Sequence, residues 1–376
     1  MPHVVHVYKD YWPPIVGGIE RCIHWMATGA VREHGWEATV LVNARGRESR
    51  ERESDGVRIV EVGEWGRALS APISPRFPLA MRNLKADVWH FHLPNPTGDV
   101  SYLLTRPKGR VVATYHSDVV RQKWAMAAYG PFLNAFLRRC DCIMPTSPRL
   151  IDASAVLTRF RAKCTPVPLG MPLEKFARTA AAAQRAREVR RQYKGFPLIV
   201  FVGVLRYYKG LQFLISAMRG LPRVQAVLIG DGPEREPLKG LAEELGVGDR
   251  IAFPGFLDDE EMIAHLHAAD VYVLPSHLPA EAYGLSQIEA MAAGLPVVSC
   301  DLPTGVPFVN LHKETGLIVP PADDEALAQA IAELLSNQSQ RLHMAETALR
   351  RAHAEFTDTR MNERVMDVYR QVLGPS

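Results

Sequence analysis

The sequence predicts an α/β protein of two domains, each built on a doubly wound parallel sheet. The chain has 376 residues, more than a single hydrophobic core usually organises. Short apolar runs alternate with amphipathic segments in both halves, a pattern that favours parallel strands joined by crossover helices. The alternation breaks at the run TPVPLG, residues 165–170, which we interpret as an interdomain hinge. We therefore expect domains at residues 1–168 and 169–358, and a last helix within 359–376 that packs back across the hinge.

The predicted elements follow from the apolar runs and the glycine or proline turns between them. In the N-terminal half, the predicted strands cover residues 4–7, 38–42, 57–62, 88–91, 111–115 and 142–145, and the predicted helices cover 19–33, 98–105 and 129–139. In the C-terminal half, the predicted strands cover residues 198–202, 224–229, 250–253, 271–274, 296–299 and 316–319. The helices between these strands are predicted at residues 211–219, 234–245, 258–268, 285–293 and 323–336.

Composition excludes several classes of protein. A net charge of +3, spread along the chain, argues against a nucleic-acid-binding protein, which usually has a concentrated basic surface. Five cysteines without a C-x-x-C pair indicate reduced thiols in a cytoplasmic protein. The chain begins directly with a predicted strand, and no apolar run approaches the ~18–20 residues that span a bilayer. We therefore expect a cytoplasmic location.

The run EAYGLSQIE at residues 281–289 combines three features of an anion-binding site. It leads into a predicted helix, whose first turn has unpaired N–H groups and the positive end of the helix dipole. Gly284 at this junction allows the backbone to approach a ligand closely. Glu281 in the loop and Glu289 in the second helical turn can accept hydrogen bonds from different hydroxyls of one ligand. An ordinary helix start with two exposed acids has the same sequence.

A basic loop follows the first strand of the C-terminal half. Within the run FVGVLRYYKG, Lys209 and Arg206 are suited to neutralising charge on a departing phosphate, although a solvated basic turn has the same composition. The next strand ends in GDGP, which contributes Gly230 and Gly232, and the later run FPGF ends at Phe256. Because such turns are common after strands, their order along the chain carries more information than each turn alone.

The N-terminal half places polar residues after its strands. Gly17 and Gly18 lie between the first strand and a helix, without the G-x-G-x-x-G pattern of a dinucleotide site. The run YHSD ends a later strand and contributes His116 and Asp118. A single histidine is usually structural, but a histidine at the carboxyl end of a strand faces the edge where α/β sheets bind ligands.

A further run, DVWHFHLPN at residues 87–95, ends another strand and contributes His92 and Asn95. His90 and His92 face the same side of this strand, which raises the question of a metal site. The sequence indicates no third ligand. We therefore predict that this pair binds no metal.

In order and spacing, these segments resemble the retaining glycosyltransferases of family 4 over nearly the whole chain. The run at 281–289 matches the E-x7-E signature of that family, and FVGVLRYYKG, GDGP and YHSD match its other motifs. The resemblance implies the GT-B fold, in which two Rossmann-like domains face a central cleft. It also implies that residues 1–168 bind the acceptor and residues 169–358 bind a nucleotide sugar.

The resemblance also implies roles for single residues. Glu281, His116 and Lys209 would be catalytic. The expected donor-binding residues are Gly17, Gly18, Arg206, Lys209, Gly230, Gly232, Phe256, Glu281, Gly284, Leu285, Ser286 and Glu289. The expected acceptor-binding residues are His92, Asn95 and Asp118. The family usually has an arginine where this chain has Val204, so we expect Arg206 to take over that phosphate contact.

No cofactor or metal is expected. Nowhere in the chain are two aspartates separated by a single residue, so the D-x-D metal motif of GT-A transferases is missing. A helix N-terminus, Lys209 and Arg206 would then stabilise the leaving diphosphate in place of a divalent ion.

Residues 121–139 raise the question of a membrane contact. Basic residues flank Trp124, Met126, Tyr129 and Phe132, a pattern typical of an interfacial helix, and the same pattern fits a helix that packs on the domain core. With membrane contact, the protein would lie on the inner face of the plasma membrane and act on a lipid-linked glycan.

The run LPTGVPFVN at residues 302–310, together with LRYYKG at residues 205–210, resembles bacterial O-antigen and exopolysaccharide transferases. The predicted activity is transfer of a hexose from GDP-mannose or a GDP-deoxyhexose, or else from a UDP-sugar, to a glycan or lipid-linked oligosaccharide. Two alternatives stay open: a sugar-nucleotide epimerase on the same fold, and a non-catalytic sugar-nucleotide-binding subunit.

Overall fold

A computed structural model describes residues 1–13, 15, 17–68, 71–118 and 123–374, with the backbone alone for residues 123–128. The chain divides into two compact units. Met1–Pro172 and Phe356–Ser376 form the N-terminal unit, and Leu173–Glu355 form the C-terminal unit. These limits lie within four residues of the expected domain boundaries, and the last segment of the chain belongs to the N-terminal unit.

The N-terminal unit alternates strands and helices as the sequence predicts. Its strands are β1 (His3–Val7), β2 (Glu37–Ala44), β3 (Arg50–Ser54), β4 (Val57–Gly63), β5 (Gly66–Ala68), β6 (Ala71–Ile73), β7 (Val88–Leu93), β8 (Arg110–Tyr115) and β9 (Cys142–Pro145). Its helices before the hinge are α1 (Gly18–Arg32), α2 (Phe77–Asn83), α3 (Pro96–Thr105), α4 (Lys123–Arg139), α5 (Pro148–Ala153) and α6 (Ala155–Thr158).

Seven of these strands form one sheet in the order β3-β4-β2-β1-β7-β8-β9. All neighbours in it are parallel except β3 and β4. Without the edge strand β3, this is the doubly wound order 3-2-1-4-5-6, which reverses direction between β1 and β7. In such sheets, ligands bind beyond the carboxyl ends of the strands at the point of reversal.

The C-terminal unit repeats the same architecture with six parallel strands. Its strands are β10 (Leu198–Val202), β11 (Gln225–Ile229), β12 (Ile251–Gly255), β13 (Val271–Leu274), β14 (Val297–Cys300) and β15 (Gly316–Val319). Its helices are α7 (Ala180–Gln192), α8 (Leu211–Ala217), α9 (Arg235–Glu244), α10 (Asp259–Ala268), α11 (Leu285–Ala292), α12 (Val306–Val309), α13 (Asp324–Ser336) and α14 (Gln338–Glu355). The strand order is β12-β11-β10-β13-β14-β15, again 3-2-1-4-5-6, with the reversal between β10 and β13. The expected fold class, α/β with two Rossmann-like domains, is confirmed.

The last helix of the chain, α15 (Asp358–Leu373), packs on α1 of the N-terminal unit. The Asn362 amide donates a hydrogen bond to the carbonyl oxygen of Trp25 at 3.2 Å. A Cβ at Gly29 would lie 1.9 Å from the Asn362 amide nitrogen, so a larger residue there would displace the Asn362 side chain. Further along α15, Tyr369 is buried, with its ring 5.5 Å from that of Trp36.

The predicted surface helix falls largely on α4. Residues 121–122, and the side chains of Trp124 and Met126, lie outside the described residues. In the described part of α4, Leu133 and Phe136 are buried in the core, while Phe132 is half exposed. The core-packing alternative therefore accounts for this part of the helix. Within the described residues, no helix is both long and apolar enough to cross a bilayer.

All five cysteines are free thiols, and four of them are buried. Burial raises the pKa of the Cys22 thiol and of the Cys300 thiol to about 12, so both stay protonated at neutral pH. The expectation of mostly buried cysteines is confirmed.

Candidate functional site

In the C-terminal unit, the reversal of strand order brings together two loops that are distant in sequence. Lys209 lies in a short 3-10 turn after β10, and Glu281 lies in the loop after β13. Gly210 follows Lys209 with φ of +70°, and a Cβ there would lie 2.0 Å from the carbonyl oxygen of Pro275. Only glycine therefore allows the two loops to approach this closely.

Lys209 and Glu281 form a buried ion pair. The Lys209 ammonium lies 2.5 Å from the Glu281 carboxylate, and the two side chains are 10% and 8% exposed. The Ser276 hydroxyl donates to the same carboxylate oxygen at 2.9 Å. Burial alone would lower the pKa of Lys209, but the negative charge of Glu281 raises it above its ordinary value. The lysine is therefore cationic at neutral pH, and a charged ligand can replace the carboxylate as its counter-ion.

The helix α11 begins beside this pair. Gly284 precedes its first residue, Leu285, with φ of +75°, and offers no side chain to cap the helix. The first N–H groups of a helix have no acceptor within it and favour an anion at the helix start. Tyr272 donates to the Ser286 hydroxyl at 2.7 Å, and Glu289 is buried in the second turn, as expected.

Two other expected donor residues shape the loops after β10 and β11. Gly230 has φ of +128°, and a Cβ there would lie 2.0 Å from the carbonyl oxygen of Gly203. A Cβ on Gly232 would lie 2.4 Å from the carbonyl oxygen of Leu205. Both glycines therefore let the GDGP turn lie directly on the basic loop.

Arg206 and Phe256 are placed differently from the ion pair. Arg206 is exposed on the basic loop, and Phe256 is 84% exposed after β12. Val204, at the position of the family arginine, is 48% exposed. The structure thus brings Lys209 and Glu281 into contact and leaves Arg206 and Phe256 in solvent.

In the N-terminal unit, the reversal of strand order gathers four histidines. His6 on β1 is in register with His90 on β7, and His92 follows two residues later on the same face. His116 comes directly after β8, the next strand of the sheet. All four side chains are almost fully buried, and the rings of His90 and His92 stack 4.3 Å apart.

Hydrogen bonds link His6, His92 and His116 in a chain, whereas His90 has other partners. His6 Nδ1 lies 3.1 Å from His92 Nε2, and His92 Nδ1 lies 3.3 Å from His116 Nε2. His90 instead shares its two nitrogens with the hydroxyl groups of Tyr369, at 2.6 Å, and Thr114, at 2.7 Å.

All four imidazoles are neutral at physiological pH. Burial lowers the pKa of His6 and of His116 to about 3. Burial also lowers the pKa values of His90 and His92 well below the ordinary value, and neighbouring histidines lower them further. The histidine cluster therefore offers hydrogen bonds without net charge, which suits a sugar better than a phosphate.

The structure supplies a third histidine to the pair that was considered for metal binding. One nitrogen each of His6, His90 and His92 lies within 4.8 Å of the others. The sequence missed His6 because its partner on β7 lies 86 residues further along the chain. The nitrogens of His90 already face two hydroxyl groups, those of His92 face His6 and His116, and His6 Nδ1 faces His92, so the arrangement fits a hydrogen-bonded cluster. The absence of a metal stays a prediction.

The expected acceptor residues have clear local roles. Asn95 is buried and caps α3, where its side chain accepts from the Gly98 N–H at 3.3 Å. Asp118 accepts from the hydroxyls of Tyr115, at 2.5 Å, and Ser154, at 2.8 Å. Asp118 therefore fixes the backbone after His116, and the structure does not show it free to bind a ligand.

The glycine loop of the N-terminal unit lies partly outside the described residues, at positions 14 and 16. Gly17 precedes α1, and Gly18 is its first residue. A Cβ on Gly17 would lie 2.1 Å from the Glu20 carboxylate. Glu20 is buried, and burial raises its pKa.

Sequence analysis did not predict two buried polar residues that contact expected site residues. Ser276 donates a hydrogen bond to the Glu281 carboxylate, and its only sequence signal is its place two residues after the end of β13. Asp99 lies fully buried near the start of α3, where the Tyr129 hydroxyl donates to it. Burial raises the pKa of Asp99 to about 8, so it is largely protonated at pH 7.

Comparison with known proteins places the chain in a family. Residues 16–175 match the family model described as Glycosyltransferase Family 4, and residues 183–351 match the model Glycosyl transferases group 1. The chain is 32% identical to an O-antigen chain mannosyltransferase of Escherichia coli, with 98% of each chain covered. It is 34% identical to a D-rhamnosyltransferase of Pseudomonas aeruginosa, with 94% of this chain and 92% of the relative covered.

A solved structure agrees with this assignment. Sucrose-phosphate synthase from Thermosynechococcus elongatus is similar over 99% of each chain, with a TM-score of 0.83 and 25% identity. The expected resemblance is thereby confirmed across both units. The chain belongs to glycosyltransferase family 4 and is a glycosyltransferase with the GT-B fold.

Proposed function

We propose that this enzyme transfers a hexose, with retention of anomeric configuration, from a nucleoside-diphosphate sugar to a glycan or lipid-linked oligosaccharide of a bacterial surface polysaccharide. The observation that carries the proposal is the buried ion pair of Lys209 and Glu281 beside the start of α11. The pair combines a cation suited to a diphosphate with a carboxylate suited to sugar hydroxyls.

Binding of the donor replaces the ion pair by ligand contacts. Lys209 turns to the diphosphate, whose charge is greater than that of one carboxylate, and Glu281 accepts hydrogen bonds from hydroxyls of the sugar. The Ser276 hydroxyl keeps the carboxylate in place during this exchange. The backbone at Gly284–Ser286 binds the distal phosphate, and Glu289 binds the ribose.

The transfer step needs stabilisation of the leaving group and a place for the acceptor proton. The ammonium of Lys209 and the first turn of α11 stabilise the negative charge that grows on the diphosphate as the glycosidic bond breaks. His116, neutral by virtue of its burial, contacts the transferred sugar. The acceptor oxygen attacks from the face that the diphosphate leaves, and the departing phosphate oxygen accepts its proton. This front-face route retains the configuration without an enzymatic nucleophile.

The donor is proposed to be GDP-mannose or a GDP-deoxyhexose, with UDP-sugars as the next candidates. Support comes from the two relatives, which are named as transferases of mannose and of D-rhamnose, a deoxyhexose. The name of the first relative also supports an O-antigen as the product polymer. A peripheral membrane contact through residues 121–139, where a lipid-linked acceptor would be reached, remains a prediction.

Thermal unfolding with nucleotides tests the donor site directly. The protein is heated in a chelator with GDP, UDP and dTDP, each alone and as its common sugar conjugates. A ligand present at 100 times its dissociation constant adds about 2.7 kcal/mol to the free energy of unfolding. We expect stabilisation by GDP and its mannose conjugate, and the matched variant Lys209→Ala should lose most of it.

Other outcomes would contradict parts of the proposal. Stabilisation only by UDP compounds would transfer the donor assignment to UDP-sugars, and a strict requirement for a divalent metal would contradict the metal-free site. Conversion of free sugar nucleotide without any acceptor would indicate an epimerase. Unchanged surface glycan in cells that carry Glu281→Ala would indicate a non-catalytic subunit.

A further inference from the structure

Three of the four buried histidines form a continuous hydrogen-bonded chain. It runs from His6 Nδ1 to His92 Nε2, a distance of 3.1 Å, and from His92 Nδ1 to His116 Nε2, a distance of 3.3 Å. Each link joins two ring nitrogens, so each needs one nitrogen with a proton and one with a lone pair. At neutral pH each ring has one proton, because burial keeps all three rings uncharged.

These requirements leave two arrangements for the whole chain. In the first, all three rings are protonated at Nδ1, and His116 presents an N–H at its free end. In the second, all three are protonated at Nε2, and His116 presents a lone pair at Nδ1. A mixture of the two within one molecule places two protons or two lone pairs against each other. Loss of one buried hydrogen bond disfavours such a mixture by roughly 10- to 100-fold.

The hydrogen-bonded chain of histidines ends in His6 Nε2 on one side and in His116 Nδ1 on the other. Neither His6 Nε2 nor His116 Nδ1 has a hydrogen-bond partner among the described residues, although both atoms are buried. Buried polar atoms without a partner are uncommon and call for an explanation. A sugar hydroxyl, which both donates and accepts, satisfies His116 Nδ1 in either arrangement, but with opposite direction of the hydrogen bond.

We propose that His6 and His92 are positioning residues that set the tautomer of His116, and with it the direction of the hydrogen bond that His116 makes to the reacting sugar. The proposal rests on the proposed function in that His116 contacts the sugar. It goes beyond that function because it assigns a role to His6 and a different role to His92, which was expected to bind the acceptor.

His90 provides a matched control inside the same cluster. Its ring stacks 4.3 Å from that of His92, and it is equally buried. However, its nitrogens face the hydroxyls of Tyr369 and Thr114, so it is not part of the chain. Replacing His90 therefore disturbs packing and two hydrogen bonds without breaking the link between His92 and His116.

The first experiment measures the tautomers directly. The full chain is labelled with 15N at histidine, and the ring-nitrogen shifts of His6, His92 and His116 are assigned with single variants at neutral pH. We expect the same tautomer at all three residues in the wild type. In His92→Phe, the populations at His6 and His116 should become independent of each other, whereas in His90→Phe they should stay as in the wild type.

The second experiment measures transfer with both variants under donor saturation. We expect His92→Phe to lower kcat by about 10- to 100-fold, the rate equivalent of losing one buried hydrogen bond in the transition state. The KM for the donor should change less than about twofold, because the diphosphate contacts are intact. His90→Phe should lower kcat far less, even where both variants lose similar stability.

The outcomes separate this proposal from the proposed function. Different tautomers at His6, His92 and His116 in the wild type would overturn the proposed coupling of the three rings. The proposed glycosyl transfer would be unaffected by that result. Ring-nitrogen shifts that change on adding a chelator would also overturn it, since the histidines would then be metal ligands. Equal loss of kcat in His92→Phe and His90→Phe would reduce His92 to a packing role. Absence of any transfer by the wild type would contradict the proposed function. The ring-nitrogen shifts would still show whether the three histidines share one tautomer.

Discussion

The two units have the same strand order but opposite chemistry at the point where that order reverses. In the C-terminal unit this point holds a buried ion pair, Lys209 and Glu281, beside a helix start. In the N-terminal unit it holds stacked histidines that burial keeps neutral, among them His6 and His92. The sheet edge of the C-terminal unit is suited to a charged ligand group, and that of the N-terminal unit to uncharged hydrogen-bonding groups.

The same architecture thus serves two different parts of a glycosyl transfer. The donor carries its charge on the diphosphate, so a site that stores a paired lysine and glutamate can exchange each partner for a part of that donor. Sugar hydroxyls carry no charge, and a neutral imidazole bonds to them without the cost of burying an ion. Four predictions test the contrast, in order of expected effect.

The largest expected effect concerns the stability of the buried pair. Lys209→Met leaves the Glu281 carboxylate buried without a counter-charge, and we expect the free energy of unfolding to fall by about 3–5 kcal/mol. The double variant Lys209→Met/Glu281→Gln should recover much of this loss. Chemical denaturation of the full chain measures both.

An exposed pair serves as the control for this prediction. The Lys175 ammonium lies 2.6 Å from the Asp259 carboxylate, and the two side chains are 36% and 67% exposed. Lys175→Met should cost no more than about 1 kcal/mol, because solvent screens such pairs. Similar losses of stability in Lys175→Met and Lys209→Met would show that burial of the Lys209–Glu281 pair has no energetic consequence.

The next effect is on catalysis. Glu281→Ala and Lys209→Ala should each lower the rate of transfer by at least ~10²-fold, equivalent to about 2.7 kcal/mol, because each removes an electrostatic contact that strengthens in the transition state. Lys239→Ala, which breaks an exposed pair with Glu236 on α9, should leave the rate unchanged. Near-normal turnover in both site variants would exclude these residues from the active site.

The neutral histidines predict a loss of stability in acid. An unfolded histidine takes up a proton near pH 6.5, whereas His6 and His116 do so only near pH 3. Between these values the unfolded state binds more protons, so stability falls as the pH falls. From pH 7 to pH 5, each of these two residues should cost about 2 kcal/mol.

Denaturation at pH 7, 6 and 5 measures this dependence. His116→Gln removes one titrating group and should flatten the curve by about that amount, while His343→Gln, at an exposed position on α14, should not. A wild-type free energy of unfolding that stays constant down to pH 5 would mean that the histidines are not buried as neutral groups.

The smallest expected effect concerns Arg206, which is expected to replace the family arginine at position 204. Arg206→Ala should weaken binding of GDP by about tenfold, the scale of one charge-assisted hydrogen bond. It should leave stability unchanged, because Arg206 is exposed. In the double variant Val204→Arg/Arg206→Ala, the new arginine occupies the family position at a half-exposed site, and we expect affinity to return. Unaltered GDP affinity in Arg206→Ala would remove Arg206 from the donor site.

Much of the architecture could be predicted from the sequence, because its strands are apolar runs between clear turns. Leu198–Val202 and Val271–Leu274 lie where they were predicted, and α11 begins at the expected residue. The edge strand Arg50–Ser54 was missed because the run RERES is charged and has no apolar alternation. The helix Gln338–Glu355 was missed because its buried residues are few and widely spaced.

The candidate site was predicted residue by residue, but not its internal contacts. Glu281 and Lys209 were found through their motifs, yet their ion pair depends on the adjacency of β10 and β13, which are not consecutive in sequence. His6 has no motif, and it meets His92 only through the register of β1 and β7. Such contacts are set by sheet topology, which a local pattern does not determine.

Calorimetric titration with GDP in the presence of a chelator tests the central claim most directly. Three proteins are compared: the wild type, Lys209→Ala in the charged site and His116→Gln in the neutral site. We expect binding without metal, at least tenfold weaker binding in Lys209→Ala, and binding within about twofold of the wild type in His116→Gln, because GDP has no transferred sugar. Full affinity in Lys209→Ala, or loss of affinity in His116→Gln alone, would exclude the division into a charged donor site and a neutral sugar site.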